Sequence, residues 1–358
     1  MRILHVITSL RIGGAEKLVA NLSRLMNQGG DVVEIAVFDG SETALMKGVV
    51  DFGIKVHVLG RGYYNMWNPL NVLKLRHIIK QGKYDIVHAH NYTPQLFSIL
   101  ARGKKSPVML TTEHNTSNRR RGNWIFKKLD RWMYSKFAEI ICVSEKTHRN
   151  LLAHLNLSDT NGKFEVVHNG IDLTDSCMPS TGVKDGATRI IVMVAAFRRQ
   201  KDQGTLIKSL TLLPEDYKLW LLGDGTTRRE NERLVHDLGL DARVRFWGNR
   251  NDVAQLIQQC DVVVLSSKYE GLSLSSLEAM ASGKPFIASN VEGIKEIVGD
   301  GALLFEPGNH EDLADKVKMV CDNQHLASEL VGRALVHVKQ YDIKKTIEAY
   351  RNVYSRYS

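Results

Sequence analysis

MRILHVITSLRIGGAEKLVANL (1–22) sets the reading of the whole chain. Residues 2–7, RILHVI, form an apolar run of strand length. Gly13 and Gly14 follow, and a helical pattern begins just beyond them. Strand, glycine turn and helix together open a parallel β–α–β unit. The same alternation continues outward. Strand-like runs recur at VVEIAVF (32–38), KVHVL (55–59), DIVHA (85–89), VMLTT (108–112) and EIICVS (139–144). A second series follows at RIIVMVA (189–195), KLWLLG (218–223), RVRFWG (243–248), DVVVLSS (261–267), KPFIAS (284–289) and GALLF (301–305). The expected fold class is α/β, with two doubly wound, Rossmann-like domains facing each other across a cleft. Ligands in such sheets bind beyond the carboxyl ends of the strands.

Between the two series, LTDSCMPSTGVKDGAT (173–188) is turn-rich and aperiodic, as a linker would be. The expected division is one domain at 1–172, the linker at 173–188 and a second domain at 189–340. A C-terminal helix at 341–358 is expected to pack back on the first domain. At 358 residues the chain is too long for one ordinary core and suits two domains. Hydrophobic residues make up 43% and charged residues 24%, a globular composition. No apolar run reaches the ~18 residues that span a bilayer. The first residues read as a strand rather than a signal peptide, so a cytoplasmic protein is expected. Cys142, Cys177, Cys260 and Cys321 lie far apart, which suggests reduced thiols and no zinc site.

The net charge of +9 is uneven. Residues 1–172 carry 24 Lys and Arg against 14 Asp and Glu; the remainder carries 24 against 25. A basic front half suits an anionic membrane surface, a phosphorylated lipid or nucleic acid, and simple solubility is the plainer reading. RRRGNWIFKKLDRWMYSKF (119–137) combines Arg119, Arg120, Arg121, Lys127, Lys128 and Arg131 with Trp124, Phe126, Trp132 and Tyr134. That pattern is a basic amphipathic helix able to rest on an anionic bilayer. The competing reading packs its aromatics on the domain core. No nucleic-acid-binding module is legible.

Two stretches carry chemistry. SLRIGGAEKLVANL (9–22) places a helix N-terminus where its free N–H groups can hold an anion such as pyrophosphate. It is not GxGxxG, and an ordinary βα turn explains the glycines equally well. KYEGLSLSSLEAMASGKPFIAS (268–289) places Glu270 and Glu278 with seven residues between them, around the start of a helix. One carboxylate could accept hydrogen bonds from ribose hydroxyls and the other could orient a sugar. As a lone pair, surface carboxylates would be the plainer reading. His88 and His90 in DIVHAHN (85–91) are expected to point apart, and so to form no metal pair.

The run EGLSLSSLEAMASGKPFIAS resembles the Glu-seven residues-Glu motif of glycosyltransferase family 4. GGAEK (13–17), DIVHAHN (85–91), EHNT (113–116), VSE (143–145), VHNGID (167–172), RRQKDQGTLI (198–207), LLGDG (221–225) and VRFWGNRNDV (244–253) match in order. The resemblance covers residues 2 to about 305 and implies a GT-B fold and a retaining glycosyltransferase that uses a nucleotide-sugar, a UDP-sugar or GDP-mannose. It implies that Glu278 binds the donor ribose and that Glu270 contacts the sugar hydroxyls. The backbone of Gly271, Leu272 and Ser273 would close on sugar and diphosphate. Lys201 would neutralise the leaving diphosphate, Gly14 would lie against the phosphates, and His114 would face the donor sugar. Asn249 and Arg250 would border the base. The family places an Arg five residues before the phosphate Lys, where this chain has Ala196; Arg198 is expected to supply that cation.

No Asp-x-Asp occurs in the chain, so Lys201 and helix N-termini are expected to stabilise the leaving group without a metal or other cofactor. The expected acceptor is a glycan or lipid-linked saccharide in bacterial surface polysaccharide, capsule or lipopolysaccharide assembly. The protein would be cytoplasmic or peripheral on the inner face of the membrane. A weakly active or non-catalytic nucleotide-sugar-binding protein is the alternative, and a glycoside hydrolase or nicotinamide enzyme fits less well.

Overall fold

The computed structural model describes residues 1–11, 13–60, 62, 65–114, 124–158, 162–173, 188–250, 252–271 and 273–357. The reading of 174–187 as linker, with Cys177, lies outside them, as do Leu272 and the basic loop at 119–123. Two compact units are present. One comprises Met1–Gly170 and Ile343–Ser358, the other Ile171–Asp342.

The first unit runs β1 (Arg2–Ser9), α1 (Gly14–Gln28), β2 (Val32–Asp39), α2 (Ala44–Asp51), β3 (Lys55–Val58), α3 (Leu70–Gly82), β4 (Ile86–His90), α4 (Tyr92–Ala101), β5 (Val108–Glu113), α5 (Trp124–Ser135), β6 (Glu139–Cys142), α6 (Glu145–Leu155) and β7 (Phe164–Val166). All seven strands are parallel, in the order β3-β2-β1-β4-β5-β6-β7. The order reverses beside β1, which places β1 and β4 at a topological switch point. Side chains alternate along β1. Leu4 and Val6 join the cluster that holds Leu75 of α3, Phe97 of α4 and Met133 of α5. Ile3 joins Leu18 and Leu22 of α1 on the opposite face. Burial on both faces is why these strands read as continuous apolar runs.

The second unit runs β8 (Arg189–Val194), α7 (Gln203–Ser209), β9 (Tyr217–Leu222), α8 (Arg228–Asp237), β10 (Val244–Gly248), α9 (Val253–Gln258), β11 (Val262–Leu265), α10 (Leu274–Ala281), β12 (Phe286–Ser289), α11 (Glu292–Val298), β13 (Leu303–Phe305), α12 (His310–Asp322) and α13 (Gln324–Val338). Its six parallel strands are ordered β10-β9-β8-β11-β12-β13, and again the order reverses, between β8 and β11. The last helix, α14 (Ile343–Ser355), belongs to the first unit. It buries Ile343, Ile347, Tyr350, Val353 and Tyr354 with Ile3, Ile86 and Leu110. Arg351 fixes it further with an ion pair to Asp31 at 3.1 Å.

Candidate active site

In the second unit the chemistry gathers where β8 and β11 end. The two strands are neighbours, with Val262 paired to Ile191 and Val263 to Val192, so the loops that follow emerge side by side. Lys201 comes from the first loop and Glu270 from the second. Their Nζ and Oε1 atoms are 2.6 Å apart, and the side chains are only 16% and 8% exposed. A buried ion pair needs further hydrogen bonds to offset its desolvation. Gln200 supplies them, donating from Nε2 to Tyr269 O at 2.8 Å and to Glu270 Oε2 at 3.4 Å. The backbones are laced as well. Lys268 N–H donates to Gln200 O at 2.8 Å, and Ser266 Oγ donates to the carbonyls of Lys201 and Asp202. Asp202 has φ +49°, in the left-handed region. Its carboxylate stabilises that turn by accepting from Thr205 Oγ1 at 2.8 Å.

Two glycines make the loops possible. Gly293, in α11, lies against the Glu270 loop; a Cβ there would meet Glu270 O at 2.2 Å and Gly271 O at 2.3 Å. Gly223 has φ +127°, and a Cβ would meet Ala195 O at 2.2 Å. Ser273 caps α10, its hydroxyl accepting the Ser276 N–H at 3.3 Å. Glu278 follows in the second turn of that helix, half-buried. Arg198 is exposed, with no side-chain partner among the described residues, and its carbonyl accepts the Lys201 N–H in a tight turn. Ala196 offers only its carbonyl, to Gln203 Nε2 at 3.0 Å. Arg250 is already engaged: it makes two hydrogen bonds to Asp252, at 2.8 and 2.6 Å, and lies over Trp247. Asn249 beside it is exposed.

In the first unit, Gly14 is the first residue of α1. The Glu16 carboxylate folds back over Gly13, where a Cβ would meet its Oε2 at 2.2 Å. An anion at this helix end would therefore contend with Glu16. The central feature is a row of histidines. His88 and His90 were expected to diverge; instead their rings stack, with centroids 4.3 Å apart. Side chains alternate with a period of two in a strand, so residues i and i+2 share a face, and the expectation misapplied that rule. His5 pairs with His88 across β1 and β4 and joins the same face.

The hydrogen bonds form a chain. His5 Nδ1 lies 3.0 Å from His90 Nε2, and His90 Nδ1 lies 3.1 Å from His114 Nε2. His88 bonds elsewhere, through Nδ1 to Tyr354 Oη and through Nε2 to Thr112 Oγ1. Burial lowers every imidazole in the row: His5 and His114 fall to about 4, and His88 and His90 fall well below the ordinary value. The row is therefore neutral at pH 7. Asn91, directly after His90, has φ 69° and ψ 159°, a conformation otherwise almost confined to glycine. Such strain collects at functional sites. His5, His88 and His90 are also the one set of three or more potential ligand side chains among the described residues, with nitrogens within 4.8 Å of one another. Both His88 nitrogens are already bonded, and no carboxylate joins the set to offset a cation.

Sequence reasoning missed Gln200, Asn91, Tyr350 and Tyr354. Only the tyrosines left a signal, an i, i+4 pair on the buried face of a terminal helix.

Both halves of the chain match known family models. The model for group 1 glycosyl transferases covers residues 179–335, and that for Glycosyltransferase Family 4 covers residues 12–175. The chain belongs to glycosyltransferase family 4. This family 4 glycosyltransferase has the GT-B fold expected from its motifs. It is 28% identical over 385 residues to the putative glycosyltransferase EpsF of Bacillus subtilis (strain 168), covering 99% of this chain and 96% of that one. It is 25% identical over 307 residues to the UDP-Gal:alpha-D-GlcNAc-diphosphoundecaprenol alpha-1,3-galactosyltransferase of Escherichia coli, covering 79% and 78%. Among solved structures, Anabaena HepE in complex with UDP and glucose superposes with a TM-score of 0.85 at 20% identity, covering 99% of each chain.

Proposed function

We propose that this glycosyltransferase is retaining and metal-independent, and that it moves a sugar from a nucleoside diphosphate, UDP before GDP, to a saccharide acceptor. The observation that carries the reading is the buried Lys201–Glu270 pair at the ends of β8 and β11. A cation fixed there can turn to a diphosphate, and a carboxylate beside it can orient sugar hydroxyls. Glu278 holds the ribose, the loop backbone at Gly271 and Ser273 closes on the sugar, and Arg198 is the second cation. In the reaction the bond from the anomeric carbon to the diphosphate oxygen breaks, and its electron pair leaves with the diphosphate. The acceptor hydroxyl oxygen bonds to that carbon on the same face and passes its proton to the departing phosphate. Lys201 stabilises the charge that grows on the leaving group. The absence of Asp-x-Asp from the chain and the presence of this lysine support a route without metal.

The acceptor reading rests on relatives, whose names place them on undecaprenyl-linked sugars and lipopolysaccharide core. A bacterial surface polysaccharide, capsule included, is the corresponding product. α5 supports work at a membrane. Its Trp124, Ile125 and Trp132 are exposed together with Lys128 and Arg131, while Met133 and Tyr134 are buried. No described helix is long and apolar enough to cross a membrane, so attachment would be peripheral, on the cytoplasmic face. The test is thermal stabilisation by UDP and GDP, with and without EDTA. A shift with one nucleotide that survives EDTA and vanishes in Glu278→Ala is expected. No shift with either nucleotide would overturn the donor assignment.

A further inference from the structure

Gln200 does more than fasten two loops. Among the described residues, two side chains donate to the Glu270 carboxylate: Lys201 Nζ to Oε1 at 2.6 Å and Gln200 Nε2 to Oε2 at 3.4 Å. The same Nε2 donates to Tyr269 O at 2.8 Å. An amide nitrogen carries two hydrogens and can serve both acceptors at once. Turned over, Gln200 would set its carbonyl against a carbonyl and a carboxylate, so its neighbours fix which way the amide points. The two bonds are unequal. That to Tyr269 has ordinary length, and that to Glu270 is longer than an ordinary N–H···O bond. One hydrogen is committed; the other is under-used while Lys201 holds the carboxylate. That carboxylate cannot go without a partner. Glu270 is buried, and a buried charge stripped of its partners is costly. Lys268, two residues earlier, lies 3.6 Å from the Asp202 carboxylate instead. Gly293, packed behind the loop, has no side chain to offer.

We propose that Gln200 is a positioning residue that takes over Glu270 when Lys201 turns to the diphosphate. The inference rests on the proposed function, which supplies that diphosphate. A diphosphate carries more negative charge than one carboxylate and draws the ammonium toward it. The bond from Gln200 Nε2 to Glu270 Oε2 then shortens, and the carboxylate keeps both its charge and its orientation. Because the amide holds Oε2, the oxygen offered to sugar hydroxyls is Oε1, which Lys201 has vacated. Gln200 acts only through Glu270 and needs no contact of its own with the donor.

The experiment is a double-mutant cycle on the full chain, read by calorimetric titration with UDP or GDP, whichever stabilises it. Gln200→Met keeps the length of the side chain and removes both hydrogens, while Tyr269 O, on an exposed residue, turns to water. It is expected to weaken nucleotide binding about 10-fold in the native background. In Glu270→Gln, where no charge needs holding, the same replacement should change affinity less than about twofold. A loop merely fastened by Gln200 would lose equally in both backgrounds. That result, or no loss in the native background, overturns the hand-over. A second readout needs no variant: proton–nitrogen NMR of the glutamine-labelled full chain, with the Gln200 side-chain amide correlated to its own backbone. Nucleotide should move one of its two amide protons downfield, as a shortened bond to a carboxylate requires. Two unmoved protons overturn the proposal even if the variants do not fold. A native chain that binds neither nucleotide removes the donor reading and this inference with it; binding without the coupling removes this inference alone.

Discussion

Lys201 and Glu270 hold each other in the resting protein at 2.6 Å, yet their proposed tasks differ, so their replacements should differ too. Lys201→Ala should lower kcat by roughly 10²–10³, the usual effect of removing one electrostatic stabiliser of a transition state. Glu278→Ala should instead weaken donor binding by about 10–100-fold, with kcat far less affected, because it removes hydrogen bonds made equally in the ground state. Steady-state kinetics with a radiolabelled donor would separate the two. Asn91 gives a stability test. Its backbone at φ 69° and ψ 159° suits glycine. Asn91→Gly should be neutral or stabilising, and Asn91→Val destabilising by about 1–3 kcal/mol, read from urea unfolding. The histidines set the acid limit. Burial holds His5 at about 4, while the unfolded chain titrates near 6.5. Between those values the unfolded state binds more protons, so stability is full above pH 6.5 and falls as the pH drops toward 4. His5 alone accounts for roughly 3 kcal/mol. Urea midpoints that do not move between pH 7.5 and 5 would refute that burial effect.

At the scale of elements, α5 and α11 carry the sharper tests. Trp124 is 67% exposed and Trp132 41%, on a helix whose opposite side is anchored by Tyr134 donating to Glu113. Replacing both tryptophans by alanine should abolish co-sedimentation with anionic vesicles at low salt while leaving the melting temperature nearly unchanged. α11 is placed by the missing side chain of Gly293, so Gly293→Ala should displace the Glu270 loop and reduce both stability and nucleotide affinity. The strands were legible because parallel strands buried on both faces leave unbroken apolar runs; only β7 escaped, being three residues long and half-buried. The positions of Lys201 and Glu270 in sequence said nothing of their contact. That contact depends on β8 and β11 being neighbours across a switch point, a long-range pairing that no local pattern encodes. The histidine row was within reach, since a period of two requires His88 and His90 to share a face.

The whole molecule is two units of similar architecture, and they are not built alike along the chain. The second unit is one continuous stretch, Ile171–Asp342; the first is closed by α14, which follows it. A chain ending at Asp342 would leave Ile3, Ile86 and Leu110 without their α14 partners and His88 without Tyr354. Such a truncation should be insoluble, or should melt at markedly lower temperature by calorimetry. The same arrangement orders events on the ribosome. Synthesis at roughly 5–20 residues per second leaves the first unit waiting on the order of 10–30 s for its last helix while the second is being made. For that interval part of an apolar sheet face and the His88 imidazole lack their cover from α14, so the nascent first unit is a natural client for a holding chaperone.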